Sequence, residues 1–174
     1  MSAESIRISV VQGSILDVEA DAIVNAANSR GIMGGGVAGV IRRAAGSEVE
    51  EKARRQAPIP VGQAVLTSGG RTRFKGIIHA PTMSAPAMRI DSVNVALATR
   101  AALALAEAQS FKTIALPGMG TGVGGVAPQE AALLMVKEIR AFAESRSGHP
   151  ALQSVILVDV DPAMVAAWRD AMRG

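Results

Sequence analysis

Cysteine and tyrosine are absent from this 174-residue sequence, and histidine occurs only as His79 and His149. Without thiolates there can be no disulfide, no sulfur-ligated metal and no cysteine nucleophile. Two distant imidazoles, with no second histidine at helical spacing, would leave a metal site to carboxylates, so neither a metal nor a cofactor is expected. Aromatic rings are limited to Trp168, Phe74, Phe111 and Phe142. Proteins that read single strands stack bases on such rings, so the shortage argues against nucleic acid as a partner, sequence-specific RNA above all, without excluding it. No apolar run approaches the roughly 20 residues of a membrane span, and the first residues carry no basic-then-apolar leader pattern. A soluble, cytoplasmic protein with no membrane partner is the expectation.

What is present describes a folded chain. Apolar residues make up 49% and charged residues 19%, which places the sequence among globular rather than disordered proteins. Its length suits one domain spanning 1–174. The net charge is +3, carried mostly by arginine, a mild preference for anionic ligands.

Residues 6–11 begin with apolar and polar residues alternating and end apolar, the pattern of a strand entering a buried sheet. A second strand is expected over 22–25 and a turn-rich loop over 29–36. A helix follows over 37–45, stopped by Gly46, and then a charged helix capped by Ser47 that runs to about Gln56. Two strands over 64–67 and 76–79 flank a turn at Ser68–Arg71 and suggest a hairpin. An Ala- and Leu-rich helix capped by Asp91 or Ser92 runs to about Ala108, and a strand over 113–116 leads into a glycine loop. Pro128 opens a helix to about Ala143, residues 154–158 form the last strand, and 162–172 the last helix. This alternation predicts a three-layer α/β/α sandwich around a mixed, mostly parallel sheet.

In such sheets ligands bind beyond the carboxyl ends of the strands, where both glycine loops fall. Residues 118–125 contain five glycines in eight positions. Glycines between a strand and a helix let backbone N–H groups approach a phosphate closely, and the helix N-terminus adds partial positive charge. Gly120-Thr-Gly-Val-Gly-Gly125 formally fits the dinucleotide fingerprint, but the acidic residue required about 20 positions later falls inside a helix. A P-loop is excluded because no glycine is followed by Lys-Ser or Lys-Thr.

The ordered set Gln12-Gly-Ser-Ile15, Asp21-Ala-Ile-Val-Asn-Ala-Ala-Asn28, Gly34 to Gly46, Ile77-Ile-His79 and Ala115 to Gly125 resembles the macrodomain family across essentially the whole chain. The resemblance implies a site for ADP-ribose or an ADP-ribosylated protein. It also implies hydrolysis of an ADP-ribosyl linkage, with mono-ADP-ribosyl-protein or O-acetyl-ADP-ribose as the substrate; the alternatives are a non-catalytic reader and a pocket retuned to another nucleotide or phosphosugar. By the same resemblance Asn28 contacts the distal ribose and is the candidate catalytic residue. Ser14, Ile15 and Val160 fall at the adenine end. Gly34, Gly35, Gly36 and Val37 form the first phosphate loop, and Gly118, Met119, Gly120, Thr121, Gly122, Val123 and Gly124 the second.

Four positions depart from the family pattern. Ser14 stands where many members carry an aspartate that accepts from the adenine amino group, and Ala38 where deacetylase-type members carry one that helps activate water. Gly124 and Val160 replace rings beside the distal ribose and the adenine. Losing the stack and the charge-assisted bond would cost on the order of 1–4 kcal/mol of binding. Other polar residues read as structural: Asn25 as a tie between loops, His79 as a core histidine, and Arg42-Arg43 and Arg54-Arg55 as solvated helix faces. Thr121 is equally suited to a phosphate or to its own loop. The segment 84–90 could contribute Met88 or Arg89.

Overall fold

The structure is a computed structural model and describes residues 5–174. Six strands form one sheet: β1 Arg7–Gln12, β2 Ala22–Asn28, β3 Val65–Thr67, β4 Gly76–Met83, β5 Thr113–Leu116 and β6 Ser154–Asp159. Their spatial order is β1-β6-β5-β2-β4-β3, with every neighbouring pair parallel except the antiparallel β3–β4 hairpin. Five helices complete the fold: α1 Gly36–Ala45, α2 Ser47–Arg55, α3 Val93–Ala108, α4 Pro128–Ser145 and α5 Pro162–Met172. The expected mixed, mostly parallel α/β/α sandwich is what forms.

Alternation along each strand sorts the core into two halves. Ile23, Ile77, Ala115 and Val158 face α1 and α2, packing with Ile41, Ala45 and Val49. Val24, Ile78, Leu116 and Leu157 face the other way, onto α3, α4 and α5, where Leu103, Met135, Ile139 and Trp168 complete the larger core. Central strands covered on both faces have no polar side to show, which is why β2 and β4 read as apolar runs.

Several expectations are corrected. β1 is an edge strand, paired only with β6, and Val11 is 40% exposed. Its apolar end reflects one covered face rather than two. Ser47 lies inside α2 and makes no capping bond, because Gly46, at φ 102°, occupies the cap position itself. β4 continues to Met83, four residues beyond its expected end, because β2 continues beside it to Asn28. A short 3-10 turn over Ile15–Asp17, with Ser14 Oγ accepting from the Leu16 N–H at 3.2 Å, has no periodicity to announce it.

Candidate ligand-binding site

Parallel strands bring the ends of β1, β2, β4, β5 and β6 to one edge of the sheet, so the segments after Gln12, Asn28, Met83, Leu116 and Asp159 gather there. Both glycine loops belong to this edge.

The first loop is built from its own polar groups. Asn28 Oδ1 accepts from the N–H groups of Arg30 at 3.1 Å and Ile32 at 3.3 Å, while its Nδ2 donates to the Ile32 carbonyl at 2.8 Å. The second amide N–H of Asn28 has no acceptor among the described residues. Glu50 of α2 reaches under the loop, accepting from the Met33 N–H at 2.6 Å and pairing with Arg42 at 3.4 Å. Gly31, at φ 72°, lets α2 approach: a Cβ there would lie 2.9 Å from the Ala53 carbonyl carbon. Beyond these ties, Gly34, Gly35 and Gly36 are exposed, and a Cβ on any of them would meet nothing within 4 Å. α1 begins with no side-chain cap. Among the described residues nothing accepts from the backbone N–H groups of residues 34–38, so they form a run of unspent donors at a helix N-terminus.

The second loop has a similar opening in a tighter frame. Asp159 holds it from β6, one carboxylate oxygen accepting from the Gly118 N–H at 3.0 Å and the other from the Asp161 N–H at 3.0 Å. Gly125 donates to the Gly122 carbonyl at 3.2 Å and Val126 to the Gly120 carbonyl at 3.1 Å, closing the turn. The Ile90 N–H donates to the Gly124 carbonyl at 3.0 Å and ties the segment after β4 to it. Among the described residues the N–H groups of 120–124 donate to no protein acceptor. Gly122 is exposed with open space where a Cβ would be.

The glycines of this loop therefore do different work. At Gly124 a Cβ would lie 2.6 Å from the Gly120 carbonyl oxygen, so the loop as folded has no room for a ring there. Gly125, at φ 76°, leaves space for Arg89, whose Nη2 would lie 2.9 Å from a Cβ. Arg89 is exposed and has no carboxylate partner among the described residues. The Arg89 guanidinium thus lies against the second loop.

The remaining expected site residues are placed as follows. The Ile15 side chain is buried in the α1/α2 half of the core, 4% exposed. Met119 is fully buried in the opposite half, so only its backbone faces the loop. The Gly118 N–H is spent on Asp159. Val37 is half-buried at the start of α1, and Thr121 is half-buried in the second loop. Val123 and Val160 are 63% and 70% exposed. Ser14 keeps its hydroxyl proton but commits a lone pair to Leu16. Sequence reasoning missed Glu50 and Asp159 as supports; each is a carboxylate distant in sequence from the loop it holds, and only a glycine-rich stretch full of N–H groups hints that such an acceptor is needed.

Asn25 and His79 lie away from the loops, within the sheet. The Asn25 amide donates to His79 Nδ1 at 3.1 Å, which places the ring proton on Nε2, facing Thr67 Oγ1 at 2.9 Å; that hydroxyl then donates to the Ser68 carbonyl at 3.2 Å. His79 is fully buried and its pKa is pushed down to about 4 by desolvation. It is a neutral core histidine.

No helix among the described residues is long and apolar enough to cross a membrane. A family model described as Macro domain matches residues 24–135. An uncharacterized protein of Aquifex aeolicus is 57% identical over 165 residues, which cover 95% of this chain and 97% of that one. A Macro domain-containing protein of Caldanaerobacter subterraneus is 37% identical over 147 residues, 81% of this chain and 83% of that protein. Among solved structures, a Trypanosoma brucei macrodomain in complex with ADP-ribose superposes with a TM-score of 0.84 at 26% identity, covering 95% of this chain and 69% of that one. An Oceanobacillus iheyensis macrodomain with MES bound superposes with a TM-score of 0.82 at 26% identity, covering 94% and 89%.

Proposed function

The chain belongs to the macrodomain family, and from that premise we propose that it binds ADP-ribose, with the diphosphate between its two glycine loops, and hydrolyses an ADP-ribosyl linkage at the distal ribose. The observation that carries this reading is the pair of unspent N–H runs, 34–38 and 120–124, on one edge of the sheet. A diphosphate supplies acceptors for donors that have none in the protein, and the N-terminus of α1 adds its partial charge. Arg89, lying on the second loop, adds a full one.

In this reading the free N–H of Asn28 donates to a hydroxyl of the distal ribose. With an ADP-ribosylated protein, water attacks the anomeric carbon as the bond to the acceptor breaks, giving ADP-ribose and the released acceptor; with O-acetyl-ADP-ribose it attacks the acetyl carbonyl carbon, giving acetate and ADP-ribose. The base is not a side chain: Ala38 has no ionisable group, and the two carboxylates that touch the loops, Glu50 and Asp159, have their oxygens engaged. The attacking water is held by the ligand's own phosphate oxygens and positioned by the loops, and a phosphate oxygen accepts its proton.

Calorimetry with ADP-ribose tests the binding, and absence of heat at millimolar ligand overturns it. Turnover of mono-ADP-ribosylated protein or O-acetyl-ADP-ribose tests the chemistry. Ala38 favours a second reading, a reader that binds without cleaving, and measurable release of product rejects it. Ser14 and Val160 favour a third, a different nucleotide or phosphosugar. In a thermal-shift panel, a ligand at 100 times its dissociation constant stabilises by about 2.7 kcal/mol, and the largest shift from ADP-ribose rejects this third reading.

A further inference from the structure

The α1/α2 layer carries more positive charge than its own acids offset; of that charge the Arg43 guanidinium turns back toward the first loop, its Nη1 3.3 Å from a Cβ at Gly39, which would also lie 3.2 Å from the Gly34 carbonyl oxygen. Residues 30–71 contain seven Arg or Lys and three Asp or Glu, net +4, whereas the rest of the chain contains eleven and twelve, net −1. Of the three acids, Glu48 pairs with Lys52 and Glu50 with Arg42, leaving Glu51. Arg30, Arg43, Arg54, Arg55 and Arg71 are exposed and have no carboxylate partner among the described residues. Arg73 belongs elsewhere, donating to the Val18 carbonyl between Asp17 and Glu19.

The fold sets these arginines along a strip. α1 runs from the glycine loop to the opposite edge of the sheet, where Arg71 lies over the α1–α2 corner, its Nη2 3.2 Å from a Cβ at Gly46. α2 returns, so Arg54 and Arg55 finish beside Gly31 and the neighbouring Arg30. A ten-residue helix is about 15 Å long, which matches about four phosphates of a nucleic-acid strand at 3.4 Å per step.

We propose that this strip binds the phosphate backbone of duplex nucleic acid, independently of base sequence. Guanidinium groups suit phosphate bidentately, and reading a duplex backbone needs none of the aromatic platforms that this chain lacks. A membrane surface is disfavoured because no large hydrophobic side chain between residues 22 and 75 is exposed. The proposal does not depend on the ADP-ribose reading.

The test is fluorescence anisotropy with a labelled 20-base-pair duplex. Saturable binding at 50 mM salt, weakened on the order of 100-fold at 200 mM, is expected for about four phosphate contacts. The double variant Arg54→Glu/Arg55→Glu should lose that binding and Arg71→Glu should weaken it at least several-fold, both keeping the parent melting temperature and the parent calorimetric response to ADP-ribose. Lys137→Glu/Arg169→Glu, on the opposite layer, should retain it. No saturable binding at 50 mM salt overturns the proposal, as does equal loss in the opposite-layer variant, which would make the effect one of net charge. Binding to phosphatidylserine vesicles or to a polyglutamate peptide in place of the duplex also overturns it, assigning the strip to a membrane or an acidic protein.

Discussion

Glycine is used for opposite purposes within one loop, and single substitutions separate them. Gly122 faces open space, so Gly122→Ala should leave the melting temperature within a degree or two while weakening ADP-ribose binding where the new methyl meets the ligand, read by calorimetry. Gly124→Ala places a methyl 2.6 Å from a backbone oxygen of its own loop, and should destabilise by about 1–3 kcal/mol in chemical denaturation. Adding a ring at this position is therefore not a simple gain of a contact. Asn28 is similarly double in use, because three of its hydrogen bonds hold the 28–32 loop. Asn28→Ala should lower binding and turnover together, and a variant that bound ADP-ribose at full strength would show the loop to be held by other means. His79 gives a pH dependence of definite sign. Its folded pKa, about 4, lies below the ordinary 6.5, so between these values the unfolded chain takes up a proton that the folded one refuses. Its contribution is complete above about pH 6.5 and lost progressively down to pH 4, about 3 kcal/mol in all. Urea midpoints across that range should fall accordingly, and His79→Gln should flatten the profile.

At the level of elements, the two loops owe their shape to carboxylates on neighbouring elements. α2 holds the first through Glu50, and β6 holds the second through Asp159. A charged hydrogen bond to a backbone N–H contributes about 1.5–3 kcal/mol, enough to select one loop conformation among several. Glu50→Ala should free the Met33 N–H and weaken ADP-ribose binding several-fold without touching any group assigned to the ligand. An unchanged affinity would show that α2 does not preorganise the loop. Asp161 does the same for a helix, its carboxylate capping α5 by accepting from the Ala163 N–H at 3.0 Å.

For the whole molecule, acid should be the destabilising direction. Partial burial raises the pKa of Asp21, but N–H groups of Thr113 and Lys112 and the Lys75 ammonium outweigh it and hold the carboxyl below its ordinary value. Glu107 follows the same pattern, burial being outweighed by Arg146 and by the N–H groups of Ala151 and Leu152. Asp21 ties β2 to the start of β5, and Glu107 ties α3 to the segment before β6. Both contributions are present above the ordinary carboxylate pKa and are lost as pH falls through the lowered folded values. Trp168, the one tryptophan, is fully buried between sheet and α5, so its emission should shift to longer wavelength in a single transition that moves to lower urea as pH drops. The sequence by itself determined the order of strands and helices and the place of both glycine loops after strands, because periodicity and glycine are local signals. It misread β1 as buried and Ser47 as a cap, since one face of apolar residues and one hydroxyl look the same whatever lies opposite them. Only the tertiary structure decided which glycines stand open, that Gly124 is closed by Gly120, and that Glu50 and Asp159 hold the loops. Those facts depend on the approach of segments far apart in the chain, and no local pattern encodes that distance.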